Sequence, residues 1–529
     1  MRHDVKGCVA AGHPVTARAA AEVLRAGGNA FDAALAAVAT ACVSESVLAS
    51  PGGGGFLLAR PADAPARVFD FFVHTPRVRR PPAEVNAHPI VTDWGTTQQE
   101  FQIGSGTAAT PGLVRGLFAV HAELGRMPMA QVLAPAVAAA DAGVEVTPFQ
   151  AYLMTLVAPI YLGEPDARAL FGNSDGGSLN RGDLLRNPEL GALFEQLGRA
   201  GDRLFYEGEV AAAIAGQCQA RGGHITLDDL RNYRVAVRTP LTLRYRDATL
   251  TTNPPPSAGG TLIAFGLGLL ARTDLRGVAF GSAEHLGLLA RVLARTVDAR
   301  AAHGLDALLS EAIFGGHAEA LLVELAAARA AYRGTTHISV IDAQGNAASV
   351  TLSNGEGCGS LVPGTGVMLN NMLGEDDVNP AGPHGWPTDV RLSSMMSPTA
   401  ITRDDGWFAI TGSGGSKRIR SAILQVLSNL VDFAMPLAQA VDAPRMHVDA
   451  GLLNLEGGFD AGLETGLAPI FAPIFAPDAP DARNARIIRW ADRNMFFGGC
   501  HSVARAPDGT LGGAGDPRRD GVCIGPGEL

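Results

Sequence analysis

The stretch Gly334-Thr335-Thr336-His337-Ile338-Ser339-Val340-Ile341-Asp342 sets two hydroxyls where a helical region and a short polar linker stop and an alternating strand begins. A threonine hydroxyl is a weak nucleophile until a base activates it. Read alone, Thr-Thr at a strand start reflects β-propensity. Ser393 and Ser394 form a second hydroxyl pair. Short hydroxyls with backbone N–H groups can bind a carboxylate without a buried charge. The loop Thr411-Gly-Ser-Gly-Gly415 taken alone is a plain turn. The acidic run Glu375, Asp376 and Asp377 reads equally as a solvated loop.

Other chemistries find little support. The six cysteines, Cys8, Cys42, Cys218, Cys358, Cys500 and Cys523, form no CxxC pair, which argues against a zinc site or a disulfide framework. No His/Asp/Glu cluster has metal-ligand spacing, so no metal or other cofactor is expected. Gly52–Gly55 lacks the GxGxxG spacing of a dinucleotide site.

Taken together, the segments resemble the gamma-glutamyltransferases (gamma-glutamyl transpeptidases), which are N-terminal-nucleophile hydrolases. Gly27-Gly-Asn-Ala-Phe-Asp-Ala33 and Gly52–Phe56 resemble the family's N-terminal region. Ala109-Thr-Pro-Gly112, Phe205-Tyr-Glu-Gly-Glu209, Leu227–Tyr233 and Pro254–Gly260 follow in the family's order. Leu369-Asn-Asn371, Leu392-Ser-Ser-Met395, Thr411–Gly415 and Ala440–Arg445 complete it, so the resemblance spans nearly the whole chain.

The resemblance implies a precursor that cuts itself between Gly334 and Thr335. A large subunit, 1–334, and a strand-rich small subunit, 335–529, would then form one interleaved unit. Thr335 would be the nucleophile, with its freed amine as base. Ser353 stands where the family has a Thr that hydrogen-bonds the nucleophile. Gly414 and Gly415 resemble the glycine pair whose N–H groups form an oxyanion hole, although Ser413 replaces the usual Pro before them. Ser393 and Ser394 match the serines that hold a donor carboxylate. Asn354, Gly355 and Glu375 fall where the donor amino group is held, with Asp376 and Asp377 as alternatives to Glu375.

One position departs from the family. After the Val68-Phe-Asp-Phe strand, the carboxylate-clamping Arg is replaced by Phe72. An arginine–carboxylate fork is bidentate and hard to replace. Arg77, Arg79, Arg80 and His74 remain candidates to reach in from the following loop. Two donors therefore stay open: a γ-glutamyl amide such as glutathione, or a different acyl amide, as in the cephalosporin-acylase branch or natural-product pathways. A non-maturing, non-catalytic relative is a third reading, opposed by the retained hydroxyls and glycines. Expected partners are a small amide substrate, water or an amine acceptor, and the two subunits of the cut precursor. A homodimer of that processed pair stays open.

These residues need elements to position them. Residues 14–43 predict a helix pair broken at Gly27-Gly28. Phe56–Arg60 and Val68–Val73 predict strands. Helices are expected over Gly112–Leu124, Met129–Ala142, Ala192–Ala200, Val210–Arg221, Thr261–Leu269, Ala283–Ala302 and Ala318–Ala331. One strand pair, Leu241–Tyr245 with Thr249–Thr252, interrupts them and ends at a Pro triplet. From Thr336 strands dominate, except for an apolar helix over Ser421–Phe433, and the tail from Leu452 carries further strand candidates. This order suggests a layered α+β architecture, and the resemblance sharpens it to a four-layer αββα sandwich of the N-terminal-nucleophile type.

Composition agrees. The chain has 529 residues, 18% of them charged and 47% apolar, with a formal charge of -10. A chain of this length and apolarity buries a large core. The only basic cluster is Arg77, Arg79 and Arg80, which argues against nucleic-acid binding. The N-terminus lacks the apolar core of a secretory signal. The longest near-apolar run, Ala33 to Val43, is far short of the ~20 residues of a membrane span. The expectation is a cytoplasmic protein with reduced thiols, bound to no membrane.

Overall fold

The strand Thr336–Asp342 is buried at every position. Such a strand needs apolar cover on both faces, because its side chains alternate between them. The computed structural model, which describes residues 6–93, 98–305, 307–309, 334–449, 452–471 and 486–528, supplies that cover. The strand lies inside a seven-stranded sheet in the order Val522–Ile524, Gly7–Ala11, Thr336–Asp342, Ala347–Ser353, Gly54–Arg60, Arg67–Phe71, Ala236–Arg238. All neighbours pair antiparallel.

Period-2 alternation divides this sheet between two cores. Val9, Ala11, Ile338, Val340, Ala348 and Val350 pack in one core with the helices Pro14–Arg25, Ala30–Ser44 and Met129–Ala142. Cys8, Ala10, Ile341 and Ala347 pack in the other. The second core also takes Leu250, Ile401, Ile410 and Val503 from a six-stranded antiparallel sheet. The helices Ala258–Ala271, Ala283–Ala302 and Arg418–Val431 close its far side. The order helix, sheet, sheet, helix is the four-layer αββα sandwich expected from the resemblance.

Local signals explain the best-read elements. The Ala30–Ser44 helix is buried along its whole length, as its all-round apolarity requires. Asn29 and Asp32 form a capping box at its start. Asp342, at the end of the central strand, accepts from Ala30 N at 3.0 Å and so ties that helix to the sheet. The following turn is held by Asp342 Oδ1, which accepts from Gln344 N and Asn346 N.

Several elements depart from the sequence reading. The strand Gly7–Ala11 was not expected; its small residues have weak β-propensity, and pairing on both sides makes it a strand. The hairpin His88–Asp93 with Gln98–Ile103 was also missed, because its sequence is polar and unpatterned. The tail from Leu452 contains the helix Leu463–Phe471 among its strands. The expected Ala318–Ala331 helix lies outside the described residues. No described helix is long and apolar enough to cross a membrane.

Candidate active site

Thr335 immediately precedes the central strand, and its burial leaves its side chain on one wall of a cleft. Thr335 Oγ1 donates to the Gly334 carbonyl at 2.7 Å. Ser353, at the end of the adjacent strand, donates from Oγ to the same oxygen at 2.6 Å. Two hydroxyl donors thus converge on one carbonyl, which withdraws electron density from its carbon. Glu356 Oε1 accepts from Gly334 N at 3.1 Å, so the residue is held from both ends. On the far side, the buried Arg519 donates from Nη1 to the Thr335 carbonyl at 3.1 Å. Burial pulls that guanidinium down to about 10.

The glycine loop abuts Thr335. A Cβ built on Gly414 would stand 2.1 Å from the Thr335 carbonyl oxygen, so only glycine permits this approach. Gly415 follows with φ +121°, a backbone state that disfavours any side chain. The Ser413 hydroxyl, which replaces the expected Pro, donates to Gly414 O at 2.8 Å and accepts from Gly499 N at 3.1 Å. It fixes the loop by hydrogen bonds where a ring would fix it by restraint. Ser416 adopts a left-handed φ of +53° and lines the cleft, with its hydroxyl on Asp377.

The cleft is lined by Phe72, Gly334, Thr335, Ser353, Met372, Glu375, Asp377, Val378, Ser394, Met395, Met396, Ser416 and Ile419. Several expected residues therefore meet here, and others do not. Ser394 lines the cleft and its Oγ accepts from Met396 N at 3.1 Å. Its carbonyl accepts from Ala258 N and Gly259 N and satisfies the start of that helix. Ser393 is half-buried and outside the lining. Glu375 is buried in the cleft wall, Asp377 lines it beside Lys417, and Asp376 is exposed. Gly355, with φ +63°, leaves room for Glu375 Oε1, which a Cβ would meet at 2.1 Å. Asn354 is fully buried behind Gly53, and its amide finds no hydrogen-bond partner among the described residues.

Phe72 is fully buried, stacked on Phe56 with centroids 5.5 Å apart, and forms part of the cleft wall. The conjectured replacements do not reach it. Arg77 pairs with Asp228 and Asp389, Arg79 donates to His384 O, and Arg80 donates to Gly223 O. His74 pairs with Asp389 at 3.3 Å. Backbone bridges join His74 to Thr110 and to Arg391, and none of the three lines the cleft. A different arginine sits nearest. Arg391 donates to the Phe72 carbonyl and to Tyr233 Oη, and pairs with Asp70 at 3.3 Å. These contacts hold its guanidinium behind Phe72, outside the cleft lining.

Three contacts had no place in the sequence reading. Glu356 lies three residues after Ser353 in the run Ser-Asn-Gly-Glu, and that nearness was a usable signal. Arg519 and Glu45 come from remote segments, with no local signal. Glu45 is fully buried and accepts from Thr336 Oγ1 at 2.5 Å and Thr16 Oγ1 at 2.7 Å. Burial pushes its carboxyl up to about 7, against the pull of those two hydroxyls. Beneath the site, His337 bonds Thr351 and Ser339 between the sheets, and burial holds it well below the usual imidazole value, hence neutral.

The gamma-glutamyltranspeptidase family profile matches residues 16–525. The acylase ACY 1 proenzyme of Pseudomonas sp. (strain V22) is 30% identical over 537 residues, covering 98% of this chain and 93% of its own. The glutathione hydrolase proenzyme of Escherichia coli (strain K12) is 29% identical over 549 residues, covering 97% of this chain and 90% of its own. The cephalosporin acylase from Bacillus halodurans superposes with a TM-score of 0.84 at 22% identity, covering 98% of this chain and 96% of its own, and so shares the fold.

Proposed function

The chain belongs to the gamma-glutamyltranspeptidase family, and from that premise we propose a self-cleaving N-terminal-threonine amidohydrolase whose donor carries an apolar acyl group. The observation that carries this reading is the cleft wall. Around Thr335 stand Phe72, Met372, Val378, Met395, Met396 and Ile419, and among the described residues no arginine or lysine lines the cleft. An apolar acyl group buried there gains roughly 25 cal/mol per Å² removed from water, whereas a carboxylate would lose hydration with no guanidinium fork in the lining to replace it.

Maturation starts with Thr335 Oγ1 attacking the Gly334 carbonyl carbon. The Gly334–Thr335 peptide bond breaks, its nitrogen takes a proton, and an ester links Gly334 to the Thr335 oxygen. Water hydrolyses the ester, leaving a Gly334 carboxylate and a free Thr335 amine. Ser353 stabilises the negative oxygen through the contact it already makes. In turnover the free amine accepts the Thr335 hydroxyl proton. A terminal amine has a reference pKa of about 8, so roughly a tenth is neutral at pH 7. The hydroxyl oxygen attacks the donor amide, Gly414 and Gly415 N–H groups bind the oxyanion, and the amine passes its proton to the leaving group. Water or an acceptor amine then releases the acyl group.

A γ-glutamyl donor such as glutathione is the second reading. Glu375 and Asp377 favour it, because carboxylates in the cleft wall suit a donor ammonium. Incubating the matured protein with a panel of amide donors and weighing the small subunit separates the two. An adduct of aliphatic or aryl acyl mass on Thr335 supports the first reading, and a γ-glutamyl adduct alone rejects it.

A further inference from the structure

Cys8 and Cys523 lie on neighbouring strands at one edge of the seven-stranded sheet. Ala10 is the direct partner of Cys523, so the two thiols meet diagonally, with Sγ atoms 3.5 Å apart. Gly513 packs over the pair, where a Cβ would stand 2.6 Å from one sulfur and 3.1 Å from the other. Cys8 is buried and Cys523 half-buried, so a reagent can reach the second sulfur but not the first. Cys42, Cys218, Cys358 and Cys500 are all buried.

We propose that Cys8 and Cys523 form an oxidisable pair whose disulfide staples the first strand of the chain to its last. The oxidant is a small-molecule disulfide. The Cys523 thiolate attacks one of its sulfurs, the S–S bond breaks, and one small thiolate leaves. The Cys8 sulfur then attacks Cys523 Sγ and displaces the second small thiolate, which takes up the Cys8 proton. Two protein thiols become one disulfide, and one small disulfide becomes two thiols. The hydrogen bond between the two sulfurs holds the Cys523 thiol below its ordinary value, which favours the first step. Closing the sulfurs to ~2.0 Å needs a local shift. The outer strand, three residues long and paired to Gly7–Ala11, can supply it.

The consequence follows from the cut at 334/335 and so rests on the proposed maturation. Cys8 lies before that bond and Cys523 after it, so the disulfide would join the two subunits covalently. It would also brace the Gly7–Ala11 strand, which pairs directly with the strand behind Thr335.

The test uses the whole protein, treated with oxidised glutathione, blocked with an alkylating agent and run without reductant. Oxidised wild type should run as one band near the full 54.7 kDa and split into two on reduction. Cys8→Ser and Cys523→Ser should each give two bands in both lanes. Peptide mapping of the uncut Thr335→Ala chain should show the Cys8 and Cys523 peptides cross-linked, which tests the pair independently of maturation. Alkylation of both thiols after oxidation, or a cross-link through any other cysteine, overturns the proposal.

Discussion

Ser353 Oγ donates to the Gly334 carbonyl at 2.6 Å, and that oxygen also receives the Thr335 hydroxyl at 2.7 Å. The contact predicts a role in maturation before any in turnover. Ser353→Ala removes one of the two donors to the carbonyl and should slow conversion of precursor to subunits by about 10²-fold. Ser353→Thr keeps the hydroxyl and should stay within about tenfold of wild type. A time course of freshly synthesised protein on a denaturing gel measures both. Wild-type speed in Ser353→Ala would remove this hydrogen bond from the mechanism.

Gly414→Ala should be damaging, because its Cβ would meet the Thr335 carbonyl oxygen, a backbone atom, at 2.1 Å and Arg519 Nη1 at 2.9 Å. Maturation and turnover should each fall by more than about tenfold. Gly512→Ala is the control, since its Cβ would meet nothing within 4 Å. Equal behaviour of the two variants would contradict the close approach.

Phe72 should govern donor choice. Wild type should turn over γ-glutamyl-p-nitroanilide poorly and apolar acyl p-nitroanilides better. Phe72→Arg should shift the ratio of kcat/KM values toward the γ-glutamyl donor by about tenfold or more, a change of ~1.4 kcal/mol. Strong wild-type activity on the γ-glutamyl donor would remove the reason for an altered pocket.

Glu45 links stability to pH. Its ordinary value is 4.5 and burial raises it to about 7 in the folded chain. The folded state therefore holds this proton more tightly than the unfolded state. Stability from this group is full below pH 4.5, falls as pH rises toward 7, and stays low above it. The change is on the order of 3 kcal/mol. Glu45→Gln should lose this dependence, so its stability relative to wild type should rise between pH 4.5 and pH 8. Denaturant titrations at the two pH values measure it, and a constant difference would contradict a titrating Glu45.

The hydroxyl and glycine candidates were legible through the family resemblance, because local pattern alone reads Thr335-Thr336 as β-propensity and Thr411–Gly415 as a plain turn. Thr335 directly precedes the strand Thr336–Asp342, Ser353 ends the paired strand, and Gly414 lies in a glycine loop. The two-sided burial of Ala30–Ser44 was legible from its apolarity. Contacts between remote segments were not. Glu45 lies 291 residues from Thr336, and Arg519 lies 184 from Thr335. No short-range pattern records that meeting. The loss of arginine at Phe72 was readable, but the fates of Arg77, Arg79 and Arg80 depended on where Asp228, Asp389, His384 and Gly223 lie in space. Arg391, the arginine closest to Phe72, could not be picked from its neighbours in sequence.

Thr335 is proposed to cut the chain before itself and then to act as nucleophile. Intact-mass and N-terminal sequencing of purified wild type and Thr335→Ala tests it most directly. Wild type should yield two chains, the smaller beginning Thr335-Thr336-His337-Ile338-Ser339, and Thr335→Ala should remain one chain of about the full 54.7 kDa. A small chain starting elsewhere, or cleavage at 334/335 persisting in Thr335→Ala, would contradict it.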